Sequence, residues 1–442
     1  MGTREAGVSA SPDFESFGRA IYTLIAELYP ICRSITGDGI RQTLRSLEPY
    51  IPLTLHEVPS GTRVFDWTVP REWNIRDAWV KNSRGERVID FRESSLHVVN
   101  YSVPIHRKMS LEELRPHLFT LPDHPDWIPY RTSYYKESWG FCLSHRRFLH
   151  LGEGEYDVCI DASLKDGHLT YGEYYVAGET IDEVLVSAHA CHPSLANEAL
   201  SGIAIAAFLA RHLSTTRNRY SYRFIFIPAT IGSITWLCLN EDNLFRVKHG
   251  LVLTSGGDTG ALAYKRSRQG NAEIDRVVAY VLNRRAPDAQ VTDFSPYGYD
   301  ERQFCSPGFN LPVGRLCRKV HGTYPEYHTS ADNLDFVAPE SLADTMRTCL
   351  EIFSTLEKNR TYVNVNPRCE PQLSKRGLYR TIGGQHSGAE LNEMAVLWVL
   401  NFSDGAHTLL DIAEKSGIDF DQVHRAACAL RQCGLLEERA QA

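Results

Sequence analysis

Ser187-Ala188-His189-Ala190-Cys191-His192-Pro193-Ser194-Leu195-Ala196-Asn197-Glu198, closing on Ser201-Gly202, is the stretch on which the fold turns. It leaves the continuous apolar run Val184-Leu185-Val186 and enters Ser201 to Leu213, a helix rich in Ala, Ile and Leu. Two imidazoles, a thiol and a carboxylate thus gather where an apolar strand ends and a helix begins. Imidazole and carboxylate are the ligands that zinc favours in catalytic sites. A single packed histidine with a polar helix cap is the plain alternative, and the density of ligand types favours a metal site.

Outward from this junction the pattern stays α/β. Phe224-Ile225-Phe226-Ile227 and Leu251-Val252-Leu253 read as further strands, and Arg276 to Arg284 as a helix. Continuous apolar strands alternating with helices imply a largely parallel sheet covered on both faces, with ligands where the strands end. A second candidate segment is Tyr324-Pro325-Glu326-Tyr327-His328-Thr329-Ser330-Ala331-Asp332, a polar loop before a helix expected at Pro339. Alone it would pass for a capping loop; with the first segment it completes a ligand set.

On the N-terminal side, Phe14, Phe17, Ile21, Leu24, Ile25 and Leu28 recur at helical spacing, and Pro30 stops that helix. A second helix follows the turn Thr36-Gly37-Asp38-Gly39 and runs to about Pro49, so residues 12–52 form the N-terminal helices of the main domain. Residues 53–163 carry short β-rich runs broken by Pro and Gly, together with five of the seven tryptophans. They read as an inserted β module in which Trp supplies much of the buried area. Residues 164–370 form the metal-binding domain. Residues 371–442 show helix–turn–helix spacing and an apolar end at Leu435-Leu436, as in a winged helix. That segment holds seven Lys/Arg against nine Asp/Glu, which favours docking or homo-oligomer formation over DNA.

A net charge of -7 over 442 residues, with a pI near 6.2, excludes a general nucleic-acid binder. The longest apolar runs are strand-sized, so no membrane partner is expected. Eleven scattered cysteines, without a CxxC pair or an export signal, read as reduced and mostly buried in a cytoplasmic protein.

The strand, the first histidine, the run Ala-Asn-Glu-Ala-Leu-Ser-Gly opening a helix and the distal Tyr-His-Thr-Ser-Ala-Asp together resemble the co-catalytic zinc aminopeptidases. The layout is similar to an aminopeptidase-like family of poorly defined function with an inserted β module and a C-terminal winged helix. Cys-Arg-Ser-Ile-Thr-Gly-Asp-Gly at 32–39, Tyr264 to Arg268 and Asp300-Glu301-Arg302-Gln303 also carry this likeness. The resemblance implies a mixed α/β sheet flanked by helices, with His189 as first ligand, Glu198 as bridging acid and His328 as final ligand. Asp258, in Gly256-Gly257-Asp258-Thr259-Gly260, matches the remaining acid, and His192 rivals His189.

The departures bear on chemistry. Cys191 stands where those enzymes carry Asp, and Glu198 where they bridge with Asp. Ala229-Thr230 replaces a Glu-Glu pair that supplies the general base and a second-metal ligand. One firmly held zinc is therefore expected, with the second site in doubt. A replacement base would be Glu301 or Glu326, each of which could instead be tied up by Arg302, Arg266 or another neighbour. Lys265, Arg266 and Arg268, with Arg302, form a basic set suited to an anionic group of a substrate or to a solvated loop. Three functions compete. The first is a metal-dependent amide hydrolase, of aminopeptidase or deacylase type, on a small aminoacyl, N-acyl or short peptide-like substrate. The others are an inactive binding protein and a metabolite-sensing regulator using its winged helix.

Overall fold

The computed structural model describes residues 13–320, 322–378 and 391–439. It divides into two units, Met1–Leu350 and Glu351–Ala442.

The first unit is built on an eight-stranded mixed sheet. Its order is Thr54–Pro59, His168–Val176, Ser221–Ile227, Glu183–His189, Val247–Leu253, Val313–Cys317, Ala263–Lys265 and Gln290–Thr292. The four central strands, from Ser221–Ile227 to Val313–Cys317, are mutually parallel, and antiparallel pairs flank them. Every residue of Glu183–His189 is buried, which explains its unbroken apolar reading. Its chain neighbour Ser221–Ile227 lies on one side and Val247–Leu253 on the other, so the strand order reverses there. A ligand crevice is expected at the carboxyl end of such a switch point, where His189 stands.

Helix Ser201–Leu213 packs closely against the sheet: a Cβ on Gly202 would lie 2.3 Å from the Leu253 carbonyl oxygen. Only glycine fits that approach, which accounts for the Ser-Gly pair. Helix Phe14–Leu28 buries Ile21, Leu24, Ile25 and Leu28 of the periodic set and half-buries Phe14 and Phe17, while the second helix is shorter than expected, Asp38–Arg45.

The inserted module holds an antiparallel four-stranded sheet in the order Arg87–Asp90, Glu72–Lys81, Glu155–Lys165, Ile105–Ser110. Thr54–Pro59, inside the expected 53–163 boundary, pairs instead with His168–Val176 of the main sheet. The expectation that tryptophan supplies much of the buried area holds in part. Trp73 is buried in a core cluster with Ile35, Leu169 and Tyr171, while Trp79, Trp127 and Trp139 are half-buried and Trp67 is exposed. The core between the strands of the four-stranded sheet is mainly aliphatic, with Ala78, Val80, Ile89, Val158 and Ile160 beside Phe141 and Leu143.

The C-terminal unit has a three-stranded sheet, Asp404–Thr408, Thr361–Asn364 and Leu436–Glu438, with helices Glu393–Phe402, Leu409–Ser416 and Phe420–Gln432. A Thr408/Asp411 capping box opens its second helix, and Gly417, at φ 68°, ends it. Thr361–Asn364 supplies the central strand of this sheet, N-terminal to the expected start at 371. Residues 379–390 of the expected module lie outside the described residues. All eleven cysteines are free. Among the described residues no helix is long and apolar enough to cross a membrane.

His249 in strand Val247–Leu253 is buried, and this pulls its pKa down to about 3, with Arg219 and Lys248 adding to the effect and Asp182 opposing it. The Tyr220 ring lies 5.0 Å away and Glu273 Oε2 3.7 Å away. The unfolded chain binds this proton near pH 6.5 and the native chain does not, so stability falls as pH drops from about 6.5 towards 3. Denaturant titrations at stepped pH should give a His249→Gln variant whose stability slope between pH 6 and 4 is shallower by about 1.4 kcal/mol per pH unit. An unchanged slope would remove His249 as its source.

Candidate metal centre

His189 ends its strand with its side chain fully buried. The chain then turns through Cys191, His192 and Pro193 into one π-helical turn, Ala196–Leu200, in which Leu200 N–H donates to the Leu195 carbonyl oxygen at 3.3 Å. Such wide turns recur at functional sites because they re-aim a side chain. Here the turn carries Glu198 inward. Asp332 fixes it: the backbone amides of Asn197 and Glu198 donate to its two carboxylate oxygens at 2.6 and 2.9 Å. Burial pushes the Asp332 carboxyl up to about 8, although those two amides oppose the shift.

Three imidazoles surround the Glu198 carboxylate. His189 Nε2 lies 2.9 Å from Oε1, His192 Nδ1 lies 2.6 Å from Oε2, and His328 Nε2 lies 3.7 Å from Oε1. Burial opposes charge on Glu198, but His189 and His192 outweigh it and hold the carboxyl well below its ordinary range. Burial brings His192 down to about 4, leaving it neutral at neutral pH, as a metal ligand must be. For His189 the same burial is more than offset by the Glu198 charge, and its pKa rises.

His189 Nε2, Glu198 Oε1 and His328 Nε2 are all buried, and beyond the His189–Glu198 ion pair none meets hydrogen-bond geometry with a partner among the described residues. Orphaned polar atoms are costly unless something completes them, and three ligand atoms pointing at one another suit a cation. His189, His192 and Glu198 offer one ligand atom each within 4.8 Å of one another. His328 sits at φ 56°, a left-handed conformation that a non-glycine residue holds only when its surroundings impose it. The inserted module does the imposing. Tyr130 N–H donates to the His328 carbonyl at 2.8 Å and Ser330 N–H donates to the Ile128 carbonyl at 2.8 Å, while from its own loop the preceding Tyr327 ring stacks on His328 at 3.9 Å.

Arg33, from the N-terminal segment, is wholly buried and donates through Nε to the His192 carbonyl at 3.0 Å. Sequence reasoning gave it no role, because its partner is a main-chain atom far along the chain. Asp300 was likewise missed. It accepts from Ser233 Oγ at 2.8 Å and faces the charge of His189, while burial lifts its carboxyl to about 6.

Beside the histidines opens a cavity of about 220 Å³, walled by Tyr134, Tyr135, Tyr297, Tyr299, Tyr327 and His192. Ala229 and Thr230 complete one side, so the positions lacking the Glu-Glu pair do face the pocket.

Several expected site residues are placed elsewhere. Asp258 is not brought to the histidines. Its Oδ2 accepts from Asn197 Nδ2 at 2.9 Å and its Oδ1 from Gly260 N–H at 2.7 Å, so it braces the turn before Glu198. Glu301 is fully buried and ion-paired to Lys265 at 2.6 Å, with Arg315 at 3.6 Å, which withdraws it as a free base. Lys265 donates also to the Ser295 and Tyr297 carbonyls at 3.1 and 2.9 Å, which holds its ammonium between these oxygens and Glu301. Arg266 pairs with Asp293 at 3.0 Å and Arg268 with Asn310 at 3.0 Å. Arg302 is half-buried and, like these, is not in the pocket wall. Glu326 stays near His328 on the same turn, with Oε2 buried and unbonded.

A family model described as "Domain of unknown function (DUF4910)" matches residues 22–359, and a winged helix-turn-helix model matches residues 360–438. A Clostridium acetobutylicum protein named "Putative polysaccharide biosynthesis protein with aminopeptidase-like domain" is 56% identical over 420 residues, covering 95% of this chain and 96% of its own. A crystal structure of a "putative peptidase" from Clostridium acetobutylicum superposes with a TM-score of 0.92 at 53% identity, covering 97% of this chain and 98% of the other. A zinc aminopeptidase from Bacillus subtilis gives a TM-score of 0.55 at 13% identity, covering 76% and 94% of the two chains, which extends the likeness of fold alone. With its sheet, its inserted module and its C-terminal winged helix, the chain belongs to the DUF4910 family and has an aminopeptidase-like fold.

Proposed function

We propose that the chain is a metal-dependent amide hydrolase of aminopeptidase or deacylase type that acts on a small aminoacyl or N-acyl compound. The observation that carries this reading is the convergence of buried His189 Nε2, Glu198 Oε1 and His328 Nε2 beside a pocket that His192 lines. His189, His192, Glu198 and His328 would hold one zinc. When bound, zinc supplies Lewis acidity to an amide carbonyl. The protein contributes the rest: Tyr130 packs against His192 and His328, each at 5.1 Å, and Arg33 anchors the His192 backbone. Glu326 is the remaining carboxylate to test as proton acceptor. We assign the winged helix to docking between copies of the chain, in keeping with its acidic balance.

A specific observation favours a second reading, a binding protein without turnover. Ala229 and Thr230 face the pocket in place of carboxylates, and Glu301 is locked to Lys265.

The test is metal analysis after dialysis, followed by assays of aminoacyl and N-acyl amides with added zinc, cobalt or manganese. One zinc per chain and metal-dependent amide cleavage are expected, with zinc falling well below one per chain in His328→Ala. Stoichiometric zinc in that variant would refute the ligand set. Tight ligand binding without cleavage would select the second reading.

A further inference from the structure

We propose that the tyrosine-walled pocket takes a neutral N-acyl amino sugar, the amide on the sugar nitrogen being the bond presented to the metal centre. This rests on the hydrolase reading for its chemistry, though the ligand class follows from the pocket itself.

The cavity, about 220 Å³, is smaller than the roughly 300–1,000 Å³ of typical small-molecule sites, so it suits one ring with a short substituent rather than several peptide residues. Among the described residues its walls hold five tyrosines and no carboxylate. An aminoacyl substrate brings a free ammonium, and an ammonium buried without a partner is strongly disfavoured. An amide whose nitrogen is already acylated carries no such charge. The same lack of carboxylates, together with Lys265 behind Tyr297, leaves nothing to reinforce an aromatic cage for a permanent cation.

The mouth of the pocket adds a second argument. Tyr135 is 52% exposed, Tyr297 70%, and Trp67, edge-on to Tyr135 at 5.1 Å, 40%. Exposed aromatic rings gathered at one opening mark a binding surface rather than a packing accident. Tyr135 also holds φ 63°, an uncommon backbone state for an aromatic residue, which presents its ring at the rim. A pyranose offers a face of polarised C–H bonds and an edge of hydroxyls. Tyrosine offers an electron-rich face and a phenolic hydroxyl, and so matches both.

The reaction would balance without oxidant or reductant. Water oxygen bonds to the acyl carbon, the C–N bond breaks, and the nitrogen leaves as an amine after gaining a proton. The products are a carboxylic acid and a free amino sugar.

The zinc-loaded full chain should be titrated with the methyl glycoside of N-acetylglucosamine, with leucine amide and with tetramethylammonium, following binding by calorimetry and acetate release by NMR. The glycoside should bind at least about tenfold more tightly than the other two, and Tyr135→Ala should weaken it about tenfold with an unchanged melting temperature. Tyr135→Phe, which keeps the ring, should retain most of the affinity. Cleavage of leucine amide without glycoside binding would overturn this inference and leave the hydrolase reading intact. Preferential binding of tetramethylammonium would also overturn it. Glycoside binding that depends on Tyr135 but releases no acetate would support the ligand class and refute the hydrolase reading.

Discussion

Glu198→Gln is expected to lower zinc affinity by at least about a hundredfold, the upper end of what outer-shell partners of a metal ligand cost when removed. The side chain keeps its length and one carbonyl oxygen, so the π-helical turn and its Asp332 cap have no steric reason to move. What is lost is the negative charge that three imidazoles surround, at 2.9, 2.6 and 3.7 Å. Linkage makes the loss measurable without any assay of activity. At free zinc a hundredfold above the native Kd, the native chain gains about 2.7 kcal/mol, whereas a variant bound a hundredfold more weakly gains about 0.4 kcal/mol. Thermal melts with and without zinc should therefore show a clear upward shift for the native chain and almost none for Glu198→Gln. A variant that keeps one zinc per chain after dialysis, with an undiminished shift, would show that Glu198 is not a ligand.

The proximity of His189, His192 and Glu198 was legible in the sequence because local chemistry carried it. An apolar strand ending in His189 and a helix opening on Ser201-Gly202 fix where the intervening turn must lie, and two imidazoles and a carboxylate in that turn can hardly avoid one another. The helices Ser201–Leu213 and Phe14–Leu28 were legible for the same reason, since their periodicity is local. The full set of pocket tyrosines was not. Tyr134 and Tyr135 come from the inserted module, Tyr297 and Tyr299 from one loop and Tyr327 from another, so only tertiary packing unites them. Charges were the most misleading residues. Lys265, Arg266 and Arg268 read as a basic cluster, yet Lys265 is buried against Glu301 and the other two turn to separate partners. Asp258 misled for a related reason: spacing cannot reveal that Asn197, one residue before Glu198, takes up its oxygen.

The larger effect on chemistry should come from Ala229→Glu. Ala229 follows the strand Ser221–Ile227 through Pro228 and lines the pocket beside Thr230 and His192. By resemblance to the zinc aminopeptidases this is where a general base would stand, and among the described residues the native pocket wall has no carboxylate. A positioned carboxylate that accepts a proton from the attacking water and returns it to the leaving nitrogen contributes typically about 10²–10⁴-fold. If the native chain is a hydrolase slowed by the missing base, Ala229→Glu should raise kcat by an amount in that range while zinc content stays at one per chain. Ala229→Gln, with the same bulk and no basic oxygen, should give no gain. The rate of the Glu variant should also acquire an acidic limb in its pH profile as the new carboxylate protonates. A zinc-replete Ala229→Glu protein that binds the N-acyl amide yet gains no rate would mean that the base is not what the pocket lacks. The absent Glu-Glu pair would then belong to a site kept for holding its ligand.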